Sequence, residues 1–118
     1  MAKIVVYGIP TCGTVKKARS WLANNNIAHE FVDFRASPPP SEMVEQWVAE
    51  FGNKALRNTS GGAYRDLGAD KDEWTDARWS KEFHQNPMLI KRPVVTREGA
   101  AMLVGWTLSE AELKAKFR

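Results

Sequence analysis

Tyr7-Gly8-Ile9-Pro10-Thr11-Cys12-Gly13-Thr14-Val15-Lys16-Lys17-Ala18 is the stretch from which the rest of the chain is read. It follows the apolar run Ile4-Val5-Val6, opens a helical pattern and holds the only cysteine of the protein. A thiol between a strand and a helix start is well placed to be a nucleophile. The first N–H groups of a helix lack intrahelical partners, and the helix dipole favours negative charge at that end. Both effects favour thiolate, the reactive form, and the same donors can hold an anion beside the sulfur. One stretch therefore offers a nucleophile, its activation and an oxyanion site.

Working outward, Lys3–Tyr7 is a β-branched and aromatic run ended by Gly8 and Pro10, which predicts a buried strand. Val15, Ala18 and Leu22 recur at helical spacing over Thr14–Asn25, with Lys16, Lys17 and Arg19 off that stripe. Asn24-Asn25-Asn26 stops the helix, because Asn favours turns and tolerates left-handed backbone. His29–Phe34 predicts a second strand. Strand, helix and strand in about 35 residues is the size of a βαβ unit with parallel strands.

Ser37-Pro38-Pro39-Pro40 continues neither strand nor helix. Ser41 reads as an N-cap for a helix whose stripe is Val44, Trp47, Val48 and Phe51, ended by Gly52. Short helical turns are expected over Asn53–Asn58 and Tyr64–Gly68, with a loop at Thr59-Ser60-Gly61-Gly62 between them. Thr75 caps a predicted helix to His84, which Asn86-Pro87 ends. Glu98-Gly99 is a turn between Val94–Thr96 and Ala101–Val104, an antiparallel hairpin. Ser109-Glu110-Ala111-Glu112 has the capping-box pattern of a last helix to about Phe117. The order is βαβ, a helical middle, then ββα. It predicts an α/β fold, a thioredoxin-like four-stranded mixed sheet with an inserted helical subdomain. We expect one domain over 1–118, with its core at 1–36 and 88–118 and the insertion at 37–87.

With 118 residues, 43% of them hydrophobic and 26% charged, the chain can bury a core without staples. A net charge of +3 suits anionic ligands and is too small to argue for nucleic acid as a partner. A single Cys excludes an intrachain disulfide framework and suits a reducing cytoplasm, the expected location. His29, His84 and Cys12 show no metal-ligand spacing, so no metal is expected. Ile4-Val5-Val6-Tyr7 is too short for a membrane span or a signal-peptide core, so no membrane partner is expected. No G-x-x-x-x-G-K-[ST] or G-x-G-x-x-G pattern supports a nucleotide binder.

Four segments in order, the quoted 7–18 stretch, Ala-Leu-Arg-Asn-Thr at 55–59, Ile-Lys-Arg-Pro-Val-Val at 90–95 and Met-Leu-Val-Gly-Trp at 102–106, give a specific resemblance. The chain resembles the arsenate reductase (ArsC/Spx) family along nearly its whole length, and most of all the YffB-type branch. The resemblance implies a thioredoxin-like fold and a cis peptide bond before Pro93. It implies Cys12 as the catalytic nucleophile and Arg57 and Arg92 as catalytic oxyanion ligands. In family members with arsenate reductase activity, glutathione attacks the cysteine adduct and glutaredoxin completes the reduction. Two departures are visible. Gly105-Trp106 stands where those members carry a third arginine, and Gly8 stands where they commonly carry a histidine. Both are typical of the YffB-type branch, whose members look like glutathione-dependent thiol reductases. The Spx-type regulators typically carry Cys-x-x-Cys, and Val15 replaces the second Cys here.

Each candidate has a plainer reading beside the functional one. Cys12 is either reactive or an inert buried thiol. Without a resolving Cys in the chain, any adduct on it needs an external thiol such as glutathione. Arg57 is either an oxyanion ligand or a charge at a helix C-terminus; Arg92 either binds a carboxylate or oxyanion or caps the sheet edge. Thr11, Gly13 and Thr14 flank the thiol, Gly13 as a point of close ligand approach and Thr14 as a hydrogen-bond donor to sulfur or a helix cap. With Pro93 and Gly105 they form the expected glutathione and substrate site. Lys16 and Lys17 are surface charges or lower the Cys12 pKa. His84 reads as a helix-end histidine, and Trp106 as a candidate pocket wall. The expected function is a glutathione-dependent thiol oxidoreductase, with glutathione as co-substrate and no bound cofactor. Glutaredoxin is an expected partner, and a small oxyanion or a thiol or disulfide the substrate, arsenate among them. The alternative is a non-enzymatic, Spx-like regulator that binds RNA polymerase.

Overall fold

The computed structural model describes residues 3–117; residues 1, 2 and 118 of the expected domain lie outside the described residues. In chain order the elements are β1 (Ile4–Gly8), α1 (Gly13–Asn24), β2 (His29–Asp33), α2 (Ser41–Phe51), α3 (Asn53–Leu56), α4 (Gly62–Arg65), α5 (Asp76–Gln85), β3 (Val94–Arg97), β4 (Ala100–Val104) and α6 (Glu110–Lys116). Two 3₁₀ turns, Ala69–Glu73 and Pro87–Leu89, flank α5. The strands form one mixed sheet in the order β2-β1-β3-β4. β1 pairs in parallel with β2, and β3 pairs antiparallel with β1 and β4. This is the expected thioredoxin-like sheet, with the helices α2 to α5 inserted between β2 and β3.

Alternation along the strands places two cores on opposite faces of the sheet. Ile4 and Val6 of β1 and Val95 of β3 pack with Val15 and Leu22 of α1 and Leu113 of α6. Val94, the neighbour of Val95, faces the inserted helices with Phe34, Trp47, Trp79 and Phe83. The helical stripe read at Val15, Ala18 and Leu22 is fully buried. Truncating a residue so placed, such as Leu22, to Ala costs about 2–5 kcal/mol. No described helix is long and apolar enough to cross a membrane.

Local signals held where a side chain or turn had one job. Asn26 takes φ 59° as α1 ends. Glu98 and Gly99 take φ 53° and 80°, the paired left-handed conformation whose twist matches a two-residue hairpin. Ser109 Oγ accepts from the Glu112 N–H at 3.2 Å while Glu112 Oε1 accepts from the Ser109 N–H at 3.0 Å, closing the capping box. Three expectations shift. Pro40, not Ser41, is the N-cap of α2, because its carbonyl already accepts from the Val44 N–H at 3.1 Å. The N-cap of α1 is Cys12, so Thr14 lies inside the first turn and does not cap it. The short helix near Tyr64 begins at Gly62, inside the expected loop.

Candidate active site

The polypeptide turns sharply between β1 and α1 because Gly8 has no side chain. A Cβ there would lie 2.6 Å from Val15 Cγ2, so glycine is what lets the first turn of α1 close onto the strand end. The turn presents Cys12 at the N-cap with extended backbone, φ −76° and ψ 123°. The thiol is partly exposed, not enclosed in the core.

Partial burial pushes the Cys12 pKa up, but opposing influences win and hold it below the ordinary thiol value. The N–H groups of Val15 and then Thr14 favour the thiolate, followed by the hydrogen bond and positive charge of Arg92. The direction is the one that a helix N-terminus imposes on a thiol placed there. Lys16 and Lys17 have no part in it.

Cys12 opens into a cavity of about 290 Å³ built by four separate segments. Cys12 and Thr14 come from the N-cap and first turn of α1, Asn58 and Ser60 from the stretch after α3, and Lys91 and Arg92 from the approach to β3. Gly105, Trp106 and Thr107 close it from beyond β4. The lining holds two cations and no carboxylate. A larger hollow of about 460 Å³ along α1, which Lys16, Arg19, Ser20 and His29 help to line, does not have Cys12 among its lining residues.

Asn58 locks two of these segments together. Its N–H donates to the Leu89 carbonyl at 2.8 Å, and its Nδ2 to the Met88 carbonyl at 3.2 Å. Arg92 Nη1 reaches the same Met88 carbonyl at 3.5 Å. The bond before Pro93 is cis, as the resemblance implied. The Pro93 carbonyl accepts from the Gly105 N–H at 2.8 Å and so fixes the chain that carries Trp106.

The expected site residues thus divide. Cys12, Thr14, Arg92 and Gly105 meet at the cavity; Pro93 is buried and does not line it, and reaches it only through its carbonyl's bond to Gly105. Thr11 and Gly13 are exposed beside the thiol without lining the cavity. Nothing lies within 4 Å of a Cβ at Gly13, so no close approach requires glycine there. Arg57 does not line the cavity either. It is buried, its Nη1 pairing with Asp72 Oδ1 at 3.1 Å and its Nη2 donating to Asn53 Oδ1 at 2.6 Å. His84 is held by the Pro39 carbonyl at 3.1 Å, as suits a helix-end histidine. Trp106 does form a wall, braced edge-on by Trp21 at 5.9 Å between ring centres.

Asn58, Ser60, Lys91 and Thr107 were not singled out from the sequence. Asn58 and Lys91 lie next to the two arginines that were, and an antiparallel bridge of Arg57 with Ile90 brings their segments together. That pairing leaves no periodic trace in the sequence.

A model of the ArsC family matches residues 7–113. An uncharacterised protein of Haemophilus influenzae is 36% identical over 115 residues, which is 97% of this chain and 98% of that protein. An arsenate reductase of Escherichia coli K12 is 29% identical over 97 residues, covering 80% of this chain and 69% of the enzyme. The solved structure of the YFFB (PA3664) protein superposes with a TM-score of 0.83 at 32% identity, covering 98% of this chain and 99% of that one. With its fold and nearly its full length shared in this way, the chain belongs to the ArsC family, as a protein of the YffB type.

Proposed function

We propose that the protein is a glutathione-dependent thiol oxidoreductase with Cys12 as its nucleophile. The observation that carries this reading is the partly exposed Cys12 thiol, with its lowered pKa, opening into a cavity lined by two cations and no carboxylate. In the first step the Cys12 thiolate attacks the glutathione sulfur of a mixed disulfide. A Cys12–glutathione disulfide forms, the substrate S–S bond breaks, and the substrate thiolate leaves and takes a proton from solvent. In the second step a glutathione thiolate, its proton released to solvent, attacks the glutathione sulfur of that adduct. Oxidised glutathione departs and the Cys12 thiolate is restored. Cys12 is the chain's only cysteine, so the second thiol comes from outside, from glutathione or from a glutaredoxin. Such chemistry belongs in a reducing compartment such as the cytoplasm, where glutathione is kept reduced.

Reduction of arsenate is the second reading. The similarity to an enzyme of that name supports it, as does a thiolate beside cations that suit an oxyanion.

The test is NADPH consumption coupled through glutathione reductase, with a glutathionylated peptide as substrate and Cys12→Ser as control. The same assay is run with arsenate plus glutaredoxin. Cys12-dependent turnover of the peptide is expected. Turnover of neither substrate above the control overturns the proposal, and turnover of arsenate alone replaces it with the second reading.

A further inference from the structure

Lys91 is the one cation of the Cys12 cavity that the activation of the thiol does not use. Arg92 turns its Nη1 to the Met88 carbonyl at 3.5 Å and favours the Cys12 thiolate. Lys91 lines the same cavity, is exposed and forms no ion pair among the described residues. Its side chain is nevertheless not simply extended into solvent. It lies across Gly105, with Cε 2.9 Å, Nζ 3.5 Å and Cδ 3.6 Å from the place a Cβ would take. Gly105 has φ +77°, a backbone conformation that glycine adopts freely. Any side chain at 105 would meet the lysine stem.

The backbone beneath is pinned on both sides. The Lys91 N–H donates to the Leu56 carbonyl at 2.7 Å, and the Gly105 N–H to the Pro93 carbonyl at 2.8 Å. A bare glycine thus holds a lysine stem against the cavity wall, where no lining carboxylate neutralises it.

We propose that Lys91 is a specificity residue which selects, among the molecules that reach Cys12, those carrying a carboxylate near the reacting atom. The two cations divide the work: Arg92 stabilises the sulfur, and Lys91 receives the anionic group of the incoming thiol or disulfide. This rests on the reading of Cys12 as the reactive thiol and names the class of substrate that it accepts. A carboxylate fits because Lys91 offers a compact point charge with three donors and no demand for bidentate geometry.

The experiment compares alkylation of Cys12 by iodoacetate and by iodoacetamide, which differ in charge at nearly the same size. In both, the sulfur forms a bond to the methylene carbon and iodide leaves. The ratio of the two rates cancels any change in the thiolate fraction, so it reads the field met by the reagent. Lys91→Gln is expected to lower the iodoacetate-to-iodoacetamide ratio about fivefold, the Boltzmann factor of one charge pair about 4 Å apart in water. Lys91→Arg should restore most of the ratio, and added salt should depress it in the wild type. An unchanged ratio in Lys91→Gln overturns the proposal.

A second measurement follows release of the Cys12–glutathione disulfide by glutathione and by its diethyl ester. Preference for the free acid should shrink in Lys91→Gln; an equal preference in both proteins again counts against Lys91. A Cys12 that forms no glutathione disulfide at all defeats the proposed function instead, and the alkylation ratio still decides the role of Lys91.

Discussion

The guanidinium carbon of Arg57 lies 4.2 Å from the centre of the Trp79 ring, with both residues buried. Arg57 thereby ties α3 to α5 and, through Asp72, to the 3₁₀ turn before α5. Arg57→Ala removes charge-assisted hydrogen bonds and a desolvated cation–π contact together, a loss of about 2–3 kcal/mol. The expected result is a lowered urea midpoint with the Cys12 alkylation midpoint unmoved, measured on the same preparation. A stable variant with a shifted thiol pKa would return Arg57 to the active site.

Arg92 acts on the sulfur by hydrogen bond and by charge. In Arg92→Ala the midpoint of the Cys12 alkylation-versus-pH curve should therefore rise. It should stop short of an ordinary cysteine, because the N–H groups of Val15 and Thr14 remain. Arg92→Lys keeps the charge and should fall between wild type and Ala. Coincident curves for all three proteins would remove Arg92 from the activation of the thiol.

Stability should carry the same signature. The folded Cys12 pKa is depressed below that of the unfolded thiol. The unfolded state then binds more protons between the two values, and stability rises with pH across that interval. Relative to Cys12→Ser, the wild type should gain stability as pH climbs through the folded pKa and hold it in full above the unfolded one. It should lose this advantage as pH falls back through the folded pKa. Denaturant midpoints of both proteins over this range test it; a difference independent of pH contradicts it.

Gly8→Ala should be costly although Ala suits a strand better than Gly. The new Cβ would lie 2.6 Å from Val15 Cγ2, and Val15 is fully buried. Val15 is β-branched and stiff in a helix, so it cannot rotate away. Overpacking of this kind costs about 1–3 kcal/mol. The double variant Gly8→Ala/Val15→Ala should be more stable than the sum of the two single changes implies, a coupling readable by thermal unfolding. Additive losses would show that the two positions do not meet.

The parts of the molecule legible in the sequence were those governed by neighbours in the chain. The Val15, Ala18 and Leu22 stripe, the Ser109 capping box and the Glu98-Gly99 turn each announce themselves within a few residues. Cys12 at a helix start is also a local fact, and its activation follows from that position. What escaped was set by distant contacts. Arg57 reads as an oxyanion ligand or a helix-end charge until Trp79 and Asp72 arrive from the next helical segments. Gly8 looks like a strand terminator, whereas its lack of a Cβ makes room for Val15. Lys91 becomes part of the cavity only because Gly105, from beyond β4, lies beneath its stem. The family resemblance supplied Arg92 and the cis bond before Pro93, which periodicity alone does not contain.

The cavity around Cys12 draws its walls from four stretches that are far apart along the chain. Contacts of such long range are costly to close and form late. A nascent or partly unfolded chain therefore carries a thiol close to ordinary acidity, and the sulfur becomes a strong nucleophile only when Arg92 and the first turn of α1 converge on it. Thiolate character thus doubles as a mark of the finished protein: below the ordinary thiol pKa, the assembled molecules of a mixed population hold the larger thiolate fraction at Cys12.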